Sequence, residues 1–184
     1  MDRADRLAEI LLKGVPEDES ISAACRRAGL GRDTYYRITG KKSSDKSGID
    51  LTTFFKCAGL LRLAPWKVLE LILSQKKIEL FEKREEEIKY SVDRRKLSKE
   101  MDEACLSLRE EGRSINGIFE KERGMTERHF EDIKSGEGGC SLKVYLEICS
   151  LLRVDSVATI KKITVEEIKD GTKTDDTERV KRDI

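Results

Sequence analysis

Between Ile21 and Ile38 the apolar and small residues fall in two short groups at helical spacing. Ile21, Ala24, Cys25 and Ala28 share one face of a first helix, and Leu30, Tyr35 and Ile38 share one face of a second. Gly29 supplies the positive φ that a sharp turn needs, and the small side chains at Ala24, Cys25 and Ala28 let the helices cross closely. The pattern predicts a helix-turn-helix. A helix from about Arg3 to Lys13, ended by Gly14 and Pro16, precedes it. A fourth helix capped by Asp50 runs to about Arg62, and Pro65 opens a fifth at its first turn, where a missing N–H is harmless.

The second half of the chain repeats this plan. Ser20 and Ile21 match Ser114 and Ile115, Gly29-Leu30 matches Gly124-Met125, and Tyr35 and Ile38 match Phe130 and Ile133. The run from Leu60 to Leu63 matches the run from Leu151 to Val154, and the length changes fall in loops. Helices of the second copy are expected to begin near Leu97, Ser114, Thr126, Ser141 and Asp155, with breaks at Gly112 and Gly124. Between Pro65 and Gly112 there is no glycine or proline. Leu71, Ile78, Phe81, Ile88 and Val92 form a thin apolar stripe there, which predicts a long connecting helix that either dimerises or packs on its own domains. After about Asp170 no apolar face recurs, and the tail is expected to be disordered.

The spacing from Ile21 to Ile38 resembles that of the lambda-repressor-like (Cro-like) DNA-binding family. That family places a small residue at the Cys25 position, glycine at Gly29 and apolar residues at Ala24, Ala28, Leu30, Tyr35 and Ile38. The five-helix order, with LeuLeuArgLeuAlaPro joining the last two helices, extends the resemblance over the whole first copy. The second copy departs from it, because Glu120 stands near a position the family fills with a small buried residue. The expected fold is therefore all-α, with two tandem five-helix lambda-repressor-like domains joined by a long helix. Residues 1–74 form the DNA reader, 75–96 the helical linker, 97–169 a domain for dimerisation or partner binding, and 170–184 the tail. The first domain is expected to keep its fold when the chain is cut near Ser74.

Composition supports helix and sharpens the functional reading. The chain has 184 residues, 40% charged against 38% hydrophobic, with 5% aromatic residues and two prolines, which favours two small helical domains over one large core. Cys25, Cys57, Cys105, Cys140 and Cys149 include no Cys-x-x-Cys pair and are expected to be free, mostly buried thiols. Their odd count, and the lack of a secretory or long apolar run, predict a cytoplasmic protein with no membrane contact.

A net charge of +1 excludes a global polycation, so nucleic-acid binding must rest on where charge is placed. From Ser20 to Gly48, Arg26, Arg27, Arg32, Arg37, Lys41, Lys42 and Lys46 outnumber Asp33 and Asp45. With Leu30, Tyr35 and Ile38 facing inward, Arg32, Asp33, Tyr36 and Arg37 project outward toward a major groove. Arg32 and Arg37 suit guanine edges through their planar forks; Ser22, Lys41 and Lys42 suit phosphates, and Arg26 adds to the same basic face.

The second copy is acidic over the matching stretch, and Glu131 and Asp132 take the places of Tyr36 and Arg37. It reads as a scaffold for dimerisation or a protein partner, with Arg128 and His129 as the alternative basis for a second DNA reader. His129 is the sole histidine, and no metal, cofactor or catalytic constellation is expected. The run from Thr39 to Ser43 lacks the first glycine of a phosphate loop and reads as a helix end followed by a basic loop.

These readings converge on a non-enzymatic, sequence-specific transcriptional regulator that binds double-stranded DNA. The resemblance implies a repressor of phage or mobile-element type, working as a homodimer on a palindromic operator. The second copy, the Leu71 to Val92 helix, or both would hold the dimer. The rival reading is a protein-binding inhibitor or adaptor, such as a phage anti-CRISPR protein with an autoregulatory helix-turn-helix.

Overall fold

A computed structural model of the chain describes residues 3–15, 19–40, 48–74, 88–114 and 125–168. The order is α1 (Arg3–Gly14), α2 (Ile21–Ala28), α3 (Arg32–Ile38), α4 (Leu51–Leu60), α5 (Pro65–Leu73), β1 (Ile88–Val92), α6 (Arg94–Glu110), α7 (Glu127–Ser135), α8 (Leu142–Leu151), α9 (Ser156–Ile163) and β2 (Thr164–Ile168). The described chain is predominantly helical, with one two-stranded antiparallel ribbon. Lys41, Lys42 and Lys46, the linker residues 75–87, residues 115–124 of the helix expected to begin near Ser114, Glu120 among them, and the tail from 169 lie outside the described residues.

Local chemistry sets the helix starts. The side chains of Ser20, Asp50, Thr126, Ser141 and Asp155 each accept a backbone N–H from the first turn of the helix that follows. Pro65 opens α5 with Ala64 at its cap. Two helix ends repeat as closely. Arg62 and Arg153 are the non-glycine residues with positive φ among those described, at 54° and 56°, and each follows the C-terminal end of a ten-residue helix, α4 or α8. The amide of the next residue reaches back to the helix, Leu63 to the Ala58 carbonyl at 3.1 Å and Val154 to the Cys149 carbonyl at 2.9 Å. This is the hydrogen-bond closure of a left-handed helix stop.

The linker differs from the sequence expectation. Residues 88–92 form a strand rather than part of a long helix, paired antiparallel with β2 in the register Ile88 to Ile168, Tyr90 to Glu166 and Val92 to Thr164. Ile88 and Tyr90 are buried while Lys89 and Ser91 are exposed, so the segment presents alternate residues to the core as a strand must. β1 crosses α4 at Gly59, where an added Cβ would touch the Ile88 carbonyl at 3.6 Å. That stretch therefore supplies no helix for a coiled coil.

The core also differs. Instead of two small cores, the buried side chains of both copies form one continuous hydrophobic cluster, from Leu7 and Ile10 through Phe54, Phe55 and Leu69 to Tyr145, Ile160 and Ile163. α5 packs on α9, and β1 packs on α4. The Asp50 and Ser141 caps meet in an isolated antiparallel bridge.

Candidate nucleic-acid interface

α2 and α3 are held at their crossing by one turn. Gly29 has φ 64°; its N–H donates to the Arg26 carbonyl at 3.2 Å, and the Leu30 N–H donates to the Cys25 carbonyl at 2.9 Å. These paired bonds satisfy carbonyls that the end of α2 would leave open, and buried Leu30 follows at once. Nothing lies within 4 Å of a Cβ built on Gly29, so backbone conformation rather than space demands glycine there.

The inner face matches the sequence reading. Ala24, Cys25, Leu30 and Tyr35 are buried, and Ile21, Ala28 and Ile38 are half-buried against the same core. Tyr35 turns inward while half-buried Tyr36 meets it edge to face, with ring centroids 5.5 Å apart.

Ser22, Arg26, Arg32, Asp33 and Arg37 are exposed, whereas Tyr36, expected to project outward, is half-buried against the core. Arg32 Nη1 donates to Ser22 Oγ at 3.4 Å, which brings the starts of α2 and α3 together. Of the residues expected at the site, Lys41 and Lys42 lie outside the described residues; Ser22 and Arg32 are brought together by their hydrogen bond, Arg26, Asp33 and Arg37 are exposed, and Tyr36 packs partly on the core.

Arg27 does not. Its guanidinium forms a bidentate pair with Glu19, Nε to Oε1 at 3.1 Å and Nη2 to Oε2 at 2.9 Å. Nη1 and Nη2 also donate to the carbonyls of Gly59 and Leu60, at 2.9 and 3.1 Å, at the C-terminal end of α4. Arg62 adds a second cation 3.5 Å from Glu19. Hydrogen bonding from Arg27 is the main cause that holds the Glu19 carboxyl below its ordinary range. Arg27 therefore ties α2 to α4 and leaves the basic face counted from the sequence. Glu19 and Arg62 were not singled out there, because pairs distant along the chain leave no local pattern.

In the match between the two halves of the sequence, α7 takes the place of α3. Phe130 and Ile133 are buried like Tyr35, and Thr126 caps the helix. Glu127, Arg128 and Glu131 are exposed, and Asp132 and His129 are half-buried. Lys134 is drawn to Asp102 at 3.0 Å and to Glu131 at 2.8 Å, so it does not offset this acidic face for an incoming phosphate. Between α6 and α7 lies a cleft of about 260 Å³ lined by Asp102, Cys105, Leu106, Arg109, Phe130 and Lys134.

The five cysteines are free and buried. Burial pushes the Cys57 and Cys140 thiols up to about 12 and Cys149 to about 11, and raises Cys25 and Cys105 as well. They are protonated packing residues at neutral pH. Among the described residues no group of three or more His, Cys, Asp or Glu side chains converges as metal ligands would, and no helix is long and apolar enough to cross a membrane.

No protein-family model, curated protein or solved structure matches this chain.

Proposed function

We propose that the protein is a cytoplasmic, sequence-specific DNA-binding regulator of repressor type, without catalytic activity, whose first copy is a lambda-repressor-like helix-turn-helix reader. One observation supports this most directly. α3 buries Tyr35 while presenting Arg32 and Arg37 to solvent, with Ser22 beside Arg32 where a phosphate would be met. A duplex entering along α3 meets two planar forks able to pair with guanine edges.

Selection from randomised duplexes with the full chain tests this. Arg32→Ala and Arg37→Ala each weaken binding to the selected site by about 1 to 3 kcal/mol and relax base preference. Lys41→Ala and Lys42→Ala weaken binding to every sequence and lower its salt dependence. If both pairs leave affinity and salt slope unchanged, the first copy is not the reader.

A second reading, a protein-binding inhibitor or adaptor of the anti-CRISPR kind, rests on α7, where exposed Glu127 and Glu131 border the cleft at Leu106. Recovery of a specific protein partner from the native host, lost in a Glu127→Lys/Glu131→Lys chain that still binds DNA, would support it.

A further inference from the structure

The two copies meet through matching surfaces, and the match is reciprocal. The Leu51 N–H donates to the Cys140 carbonyl at 2.8 Å, and the Leu142 N–H donates to the Ile49 carbonyl at 2.7 Å. Ile49 and Leu51 flank the cap of α4 as Cys140 and Leu142 flank the cap of α8, so exchanging the copies exchanges the two bonds. The caps themselves, Asp50 and Ser141, are the bridged pair. α5 packs on α9, its own counterpart, with the Lys161 ammonium 5.8 Å from the Trp66 ring centroid. Any antiparallel bridge carries two such bonds; what relates the copies is that the bridged residues, Asp50 and Ser141, are equivalent caps and that α5 meets its own counterpart, as a two-fold axis arranges identical subunits. Here that relation lies inside one chain.

The halves so related are unlike where a reader matters. With Tyr35 matched to Phe130 and Ile38 to Ile133, Glu127 stands at the place of Arg32 and Asp132 at the place of Arg37. Both guanine-pairing forks become carboxylates, on a helix that phosphate repels. A two-fold protein imposes two-fold symmetry on its DNA site only when both halves read.

We propose that the DNA site is asymmetric and is bound by a single chain, with base recognition supplied by α3 alone. This rests on the DNA-binding reading above. It replaces the two-chain arrangement expected from the sequence, because the pairing of copies that a palindrome would require is already made within the chain, between a reader and a non-reader.

The experiment is selection of randomised duplexes by the full chain, followed by sedimentation of the free protein and of its complex at micromolar concentration. The expected motif has no inverted repeat, the free chain sediments as a monomer, and the complex holds one chain per duplex. Each substituted base pair within the motif lowers affinity by about tenfold, whereas scrambling the flanks changes it by less than about twofold, as sequence-independent contacts do. An enriched inverted repeat of fixed spacing carrying two chains overturns the proposal and leaves the DNA-binding reading standing. If no duplex is enriched over the starting pool, that reading fails and the proposal with it.

Discussion

Arg27 and Glu19 form a bidentate ion pair, with Nη2 and Oε2 2.9 Å apart, in which the arginine side chain is 8% exposed and the carboxylate 14%. Removing one member of a pair so shielded strands the other charge away from water. Arg27→Ala therefore lowers stability by about 3 kcal/mol in denaturant titration, because it also frees the Gly59 and Leu60 carbonyls at the end of α4. Arg26→Ala, one residue away and exposed, changes stability by less than about 0.5 kcal/mol.

The same pair sets an acid limit. Glu19 ionises more readily in the folded chain than its ordinary value of 4.5 allows, so the stability it adds is complete above that value and is lost as pH falls through the lower folded one. Thermal melts of the wild type should fall steeply below about pH 4.5. A Glu19→Gln chain should start lower at neutral pH and decline less in that window; parallel curves would show that other carboxylates dominate acid unfolding.

A chain ending at Ser74 should not fold by itself, the reverse of what the separate-domain reading of the sequence implies. Truncation uncovers the face of α5 that α9 covers and the face of α4 that β1 covers, and it leaves the Leu51 N–H without the Cys140 carbonyl. Circular dichroism should show no cooperative thermal transition for the fragment. A transition as sharp as that of the intact chain would mean that the shared core is dispensable.

Backbone conformation gives a matched pair of variants. Gly29→Ala forces a Cβ into φ 64° and should cost about 1 kcal/mol. Arg153→Gly relieves the same strain at φ 56° and should gain up to about 1 kcal/mol. Its 3.9 Å contact with Glu111 is exposed and contributes little. Opposite shifts in denaturation midpoint confirm the assignment.

Leu30→Asp should unfold the chain, since it places an uncompensated carboxylate where α2 and α3 cross, at a cost of about 3 kcal/mol or more. Leu30 is 5% exposed. Glu131→Ala, on the solvent side of α7, should remain within about 0.5 kcal/mol of the parent. Equal losses would mean that the inner and outer faces have been confused.

What could be read from the residues themselves was local. The Gly29 turn, the cap at Asp50, the helix starts near Thr126, Ser141 and Asp155, and the start at Pro65 depend on chemistry within a few residues, and each stands where the sequence puts it. β1 carried a legible signal as well. Ile88, Tyr90 and Val92 alternate with Lys89 and Ser91, but Ile88 and Val92 also fit the helical stripe that begins at Leu71. The partner that decides between the two periods, β2, lies far along the chain and leaves no mark near Ile88. Distance likewise hid the removal of Arg27 from the basic face: a guanidinium on a long stem can serve a phosphate or a buried carboxylate, and only the position of Glu19 settles which.

The reciprocal bonds between Ile49, Leu51, Cys140 and Leu142 join halves that share a covalent backbone. Such a pair is not held together by mass action. Its two members are always present in equal number, and dilution does not separate them, so their mutual stabilisation is the same at nanomolar as at millimolar protein. Joining the halves in one chain also frees each from its neighbour's sequence: a substitution in one is not copied into the other, as it would be in a pair of identical subunits.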